Sequence, residues 1–200
     1  MSLRDRDIRE PLHYWLQARY ADSPNTEILH ELKMPHPSAR IDVAVVNGEL
    51  TGYEIKSDVD TLSRLEQLEP AFSAVFDRVS IVTTARRLRA TECRVPDWWG
   101  ILIASDAVGG VKFICKRRAR KNKSAGVANL LYVLTRPELM EIARKSGAQS
   151  GYSKMRQAQL IDAIICSGSK PQIRAITRDI LRRRPSFSYS VSPSSSSSAS

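Results

Sequence analysis

The step Asn47-Gly48, set between Ile41-Asp42-Val43-Ala44-Val45-Val46 and Leu50-Thr51-Gly52-Tyr53-Glu54-Ile55-Lys56, most constrains what this chain can fold into. Asn-Gly between two β-rich runs is the strongest short-range signal for a β-hairpin. Glu54 and Lys56 stand two apart in the second run, so both leave the same face of a pleated strand. The register decides whether Asp42 joins them. A bare two-residue turn pairs Val46 with Glu49 and Asp42 with Tyr53, which puts Asp42 on the face opposite Glu54. A three-residue loop, or one bulge near Gly52, pairs Val46 with Leu50 and sets Asp42 opposite Glu54. In the second register Ile41, Val43, Val45, Thr51, Tyr53 and Ile55 share a mostly apolar face, and Asp42, Ala44, Gly52, Glu54 and Lys56 share the other. That register is expected, with Tyr53 and Ile41 on the far side of the sheet from Glu54.

Two carboxylates beside an amine have a chemical use. Mg²⁺ takes an octahedron of hard oxygens and keeps several waters, so one or two carboxylates can hold it against a phosphate. The metal acidifies a bound water, and a neighbouring Lys orients that water or neutralises developing charge. The same residues equally describe a cross-strand charge pattern on a solvated face.

Asp42 followed after eleven residues by Glu54-Ile55-Lys56 resembles the core of the PD-(D/E)xK phosphodiesterase superfamily, the restriction-endonuclease-like nucleases. The similarity extends through Arg40 to Gly48, Gly52 to Asp58, Asp60-Thr61-Leu62, Arg64-Leu65, Val75 to Val79 and Pro96 to Gly100, and looks like a small bacterial family of largely uncharacterised members. It implies a restriction-endonuclease-like α/β/α sandwich on a central mixed sheet. It also implies that Asp42, Glu54 and the carbonyl of Ile55 hold Mg²⁺ or Mn²⁺ while Lys56 serves the attacking water. A third acid from the first helix or strand is implied too, and Glu31 is preferred over Glu10 because its strand adjoins that of Asp42. The expected activity is metal-dependent hydrolysis of DNA phosphodiester bonds. One position departs: related sequences carry a Gln and an aromatic four apart on the next helix, where Leu68 and Phe72 stand here and Gln67 is one residue off. That departure motivates an alternative, a non-catalytic nucleic-acid-binding or partner-binding protein on a nuclease-like scaffold.

Charge divides the chain. Residues 1–110 carry a net −4 and residues 111–200 a net +14, together the chain's +10. A slightly acidic front behind a strongly basic rear points to a DNA partner engaged by the rear. Lys116, Arg117, Arg118, Arg120, Lys121 and Lys123 put six cations in eight residues, read as a flexible basic linker within 111–128. Residues 129–184 are periodic enough for a small helical extension that resembles SAP-like and Rho-N-terminal nucleic-acid-binding modules, with Lys154 and Arg156 as contacts. Residues 185–200 are Ser-rich and expected to be disordered, and residues 1–110 make the core domain.

The first helix is expected from Asp7, with Glu10 completing a capping box and Pro11 in the first turn. Glu27 to Met34 reads as a strand, Thr61 as the cap of a helix kinked at Pro70, Arg78 to Thr84 as a buried strand, Ala85 to Glu92 as a helix and Ile101 to Ala104 as the last strand. Trp98-Trp99, ahead of an apolar strand, reads as core rather than as a base-stacking platform. His13, His30 and His36 have no second imidazole at ligand spacing on one element, and read as packed or exposed side chains. Cys93, Cys115 and Cys166 are scattered and odd in number, against zinc or a disulfide framework and for a reducing cytoplasm. No apolar run reaches the roughly 18 residues of a transmembrane helix, so no membrane partner is expected.

Overall fold

The computed structural model describes residues 2–34, 39–148 and 151–185. Pro35, His36, Pro37 and all of the Ser-rich tail except Pro185 lie outside them. The chain builds a six-stranded mixed sheet in which the strands lie side by side in sequence order. They are β1 (Glu27–Lys33), β2 (Arg40–Val46), β3 (Leu50–Lys56), β4 (Arg78–Thr84), β5 (Gly100–Ala107) and β6 (Gly110–Arg117). β1–β2–β3 and β5–β6 are antiparallel, while β3–β4 and β4–β5 are parallel. The parallel joins need crossovers, supplied by α2 (Leu65–Val75) and the short α3 (Leu88–Glu92).

One face of the sheet is covered by α1 (Asp5–Arg19), whose Ile8, Leu12 and Leu16 meet Val43, Val45, Tyr53, Ile55, Val82 and Leu102. The other face carries α2 and four C-terminal helices, α4 (Val127–Leu131), α5 (Arg136–Lys145), α6 (Gln157–Ser167) and α7 (Lys170–Arg182). Phe72, Trp99, Leu130, Leu139, Ile161, Ile173 and Leu181 belong to one continuous apolar cluster with strand residues Ala44, Val46, Val79 and Ile81. The expected α/β sandwich with C-terminal helices is therefore the architecture, and those helices share the core of the sheet. Trp99 is fully buried and Trp98 packs edge-on against it.

The hairpin takes the three-residue loop: Val46 pairs with Leu50, Val45 with Thr51, Ala44 with Gly52 and Val43 with Tyr53. Gly52 lets the Phe76 ring pack close, since a Cβ there would stand 3.2 Å from the ring and push it back by a few tenths of an ångström. Ile41 departs from its expected face. It packs in the larger cluster, opposite Val43 and Val45, and so breaks the alternation of its own strand. The partner strand breaks in the same place, since Leu29 and Leu32 lie three apart yet join the same cluster. Between them Glu31 has a left-handed backbone, φ 57°, a conformation that costs an L-residue about 1–2 kcal/mol. The kink falls where β1 and β2 bring Glu31 and Asp42 opposite each other, between the pairs His30–Val43 and Leu32–Ile41.

Other boundaries move. α1 starts at Asp5, with the Arg4 N–H donating to Asp7 Oδ2 at 2.8 Å, and Pro11 sits inside the helix rather than in its first turn. α2 starts at Leu65, because Asp60 turns back to accept from the N–H and hydroxyl of Ser57 and residues 61–64 remain a turn. The stretch expected as a flexible linker holds β6 and a tethered segment. The Arg120 N–H donates to the Trp98 carbonyl, the Asn122 N–H to the Asp77 carbonyl, and the Asn122 amide to the Ser73 and Phe76 carbonyls. Among the described residues no helix is long and apolar enough to cross a membrane.

Candidate functional site

Asp42, Glu54 and Lys56 do come together. They line an open depression of about 660 Å³ at the start of β2 and the end of β3, with Lys33, Arg40, Arg64 and Leu68 around it. Gln67 is exposed and is not part of the lining, so the departure noted on this helix holds in space.

Asp42 and Glu54 each have a cationic partner within the protein. Lys56 Nζ donates to Glu54 Oε1 at 2.6 Å, and the Ile55 N–H donates to Asp42 Oδ2 at 2.7 Å. Asp42 Oδ1 accepts from Arg9 Nη2 at 2.6 Å. Arg9 comes from α1, where Asp5 one turn earlier accepts from its Nε at 2.9 Å and fixes the guanidinium. Its Nη1 donates to Glu31 and, at 3.3 Å, to the Asp42 carbonyl. Arg40 holds the other oxygen of Glu31. Glu31, the expected third acid, is thus turned by its left-handed backbone into two arginines.

Glu54 is only 3% exposed. Burial first, then the negative charge of Asp42, pushes its carboxyl up to about 8, against the pull of Lys56. Its Oε2 is buried and receives no hydrogen bond among the described residues. The contact with Asp42 that raises it joins two acceptors, which a proton on Glu54 turns into a hydrogen bond. Burial lowers the Lys56 amine, but the charge and hydrogen bond of Glu54 more than reverse this and leave it raised.

A divalent cation requires carboxylate oxygens free to coordinate it. Both oxygens of Asp42 and one of Glu54 are already engaged, and Arg9 supplies the positive charge beside Asp42. Among the described residues no group of three or more His, Cys, Asp or Glu is placed to hold a metal ion. A cation between Asp42 and Glu54 would have to displace the contacts that Arg9, Lys56 and the Ile55 N–H make with them, and it is through this N–H that Ile55 meets Asp42.

The cations of the basic run divide. Arg117 donates to the Trp99 and Pro96 carbonyls, and Lys121 pairs with Glu49 at 3.1 Å. Lys116, Arg118, Arg120 and Lys123 are exposed and form no ion pair among the described residues. Lys154 lies in a short 3₁₀ turn (Tyr152–Lys154) and Arg156 caps α6, both exposed. Much of the remaining rear charge is internal: Arg174 reaches Asp77 at 3.0 Å, Arg183 reaches Glu141, and Arg184 reaches Glu138.

Two pairings lay beyond the sequence reading. Arg9 carries one signal, the Asp5-to-Arg9 spacing beside the apolar stripe of α1. His13 Nδ1 and His30 Nε2 lie 3.0 Å apart across α1 and β1. Burial, then His13 and Arg9, lowers His30 to about 4.

Comparison with known proteins places this chain in a family. The family model described as bacteriophage P4 protein cII matches residues 2–192. The curated protein cII of Enterobacteria phage P4 is 28% identical over 145 residues, which cover 72% of this chain and 54% of that protein. The chain thus spans about half the length of that relative. A solved structure, the SPO1766 protein of unknown function from Silicibacter pomeroyi, overlaps 70% of this chain and 89% of its own at 19% identity, with a TM-score of 0.42. The family match overturns the expected kinship with PD-(D/E)xK nucleases, and with it the reading of the chain as a metal-dependent DNA hydrolase.

Proposed function

This chain belongs to the bacteriophage P4 protein cII family, and from that premise we propose that it acts by binding DNA without cleaving it. The observation that carries this reading is the division of cations. Charges around Asp42 and Glu54 are neutralised by Arg9 and Lys56, whereas Lys116, Arg118, Arg120 and Lys123 stand exposed and without acid partners among the described residues. These four are presented by β6 and by a segment whose backbone is tied to Trp98 and Asp77. A fixed strip of cations meets a phosphate backbone without the ordering cost of a flexible linker.

The test is a salt series of duplex binding by fluorescence anisotropy on the full chain. With four cations reaching phosphates, the slope of log affinity against log salt should be about −4, and substitution of all four by Gln should bring it near −1 or abolish binding. An unchanged slope in the substituted protein would remove the strip as the DNA contact. No cleavage of the duplex should accompany binding with Mg²⁺ present.

A further inference from the structure

On the α1 side of the sheet lies a cleft of about 270 Å³ that shares no lining residue with the depression around Asp42. Every charged residue lining it is an arginine. Arg78 and Arg117 form fixed walls, one held by Glu49 and the Ala119 carbonyl, the other by the Trp99 and Pro96 carbonyls. Arg19 and Arg118 have no acid partner among the described residues. Arg19, exposed in the last turn of α1, lies over the Trp15 ring with its guanidinium carbon 5.3 Å from the centroid. Trp15 is itself held by Phe113 at 5.7 Å between centroids. Tyr20 and Tyr53 complete the aromatic lining, with hydroxyls 3.4 Å apart. Burial, and then Tyr20, raises Tyr53, so it remains a neutral phenol able to donate.

Aromatic faces beside unpaired guanidiniums, with no acid between them, are the chemistry of a nucleobase flanked by phosphates. The cleft is too small for a double helix, whose base faces are in any case covered by their neighbours. An unpaired base presents a free face and fits. Arg118 also belongs to the exposed cationic run, two residues along the chain from both Lys116 and Arg120. We propose that this cleft stacks an unpaired base of single-stranded DNA against Trp15 and Tyr20, with Arg19 and Arg118 holding the adjacent phosphates. The inference rests on the DNA-binding reading and extends it from duplex backbone to single strand.

The probe is a fluorescein-labelled oligothymidylate, with a duplex of equal length and an oligouridylate beside it. Wild-type protein should bind oligothymidylate more tightly than duplex at equal salt and lose Trp emission on binding, and Trp15→Phe should remove most of that loss. Arg19→Ala and Arg19→Glu, both at an exposed site and checked by circular dichroism, should weaken oligothymidylate binding about tenfold or more while changing duplex binding by less than about twofold. Tight duplex binding with oligothymidylate affinity unmoved by either Arg19 variant overturns the cleft and leaves the DNA-binding reading intact. Failure of wild-type protein to bind any DNA overturns both. A clear preference for oligouridylate overturns single-stranded DNA as the ligand.

Discussion

Arg9 shows how one side chain decides what a motif means. Asp42, Glu54 and Lys56 were legible as neighbours from the hairpin, but nothing in their spacing revealed that a guanidinium from α1 would lie against Asp42 at 2.6 Å. Arg9 and Asp42 are both largely shielded, so Arg9→Ala should leave a carboxylate without its partner and cost about 3 kcal/mol in urea unfolding. Arg9→Lys should recover only part, because a point charge cannot bridge Asp5, Glu31 and Asp42 together. Equal stability of Arg9→Ala and wild type would refute the bridging role. The histidine pair makes a separate prediction. His30 is lowered from 6.5 to about 4 in the fold, so the unfolded chain binds the extra proton between those values. Its contribution is complete above pH 6.5 and is lost as pH falls toward 4, on the order of 2 kcal/mol after allowing for partial exposure. Arg9 and His13 face it and disfavour the added charge, while Glu27 and Glu10 act on His13 in the opposite sense. His30→Phe should flatten the stability profile over that window, and a profile as steep as that of wild type would dismiss the pair as its source.

At the scale of elements, the sequence spoke clearly wherever local chemistry decides. Asn47-Gly48 and the need to sort apolar from charged residues specified the hairpin register, and the charge-free, mostly β-branched run from Val79 to Thr84 specified a buried strand. It spoke poorly where tertiary contact decides. Leu29, Glu31 and Leu32 read as plain alternation, yet the strand changes face at Glu31, because three carboxylates and two arginines converge there at the cost of one strained residue. The basic run read as a linker because cations without apolar neighbours lack a core signal. Its order comes from backbone groups and Asn122, which no hydropathy pattern reports. Gly100 belongs to the same contact: a Cβ there would sit 2.9 Å from the Ala119 nitrogen, so the segment lies flush against β5. α7 did carry a signal, Ser169 as N-cap with Pro171 in the first turn, obscured by the surrounding cations.

For the whole molecule, the charge contrast between front and rear is partly an internal attraction. Arg174 meets Asp77 across 97 residues of chain, and Arg182 donates to the Asn47 carbonyl across 135. With the helical extension supplying one wall of the larger core, it cannot be removed as a separate handle. A chain ending at residue 125 should lose its near-ultraviolet circular dichroism and cooperative melt, whereas the full chain should unfold in a single transition. A sharp, native-like melt of that truncation would establish residues 126–185 as dispensable to the fold.

The side-by-side order of the strands has a consequence for how the protein is made. Each strand emerging from the ribosome finds its neighbour already in place, so the sheet can grow by simple addition. Its larger apolar face has no such luck, because Leu130, Leu139, Ile161, Ile173 and Leu181 are all synthesised after the last strand. Throughout that interval a finished sheet waits half-clothed, exposed to every sticky surface in the cell. Synthesis interrupted between β6 and α7 would release the form of this protein most prone to aggregate.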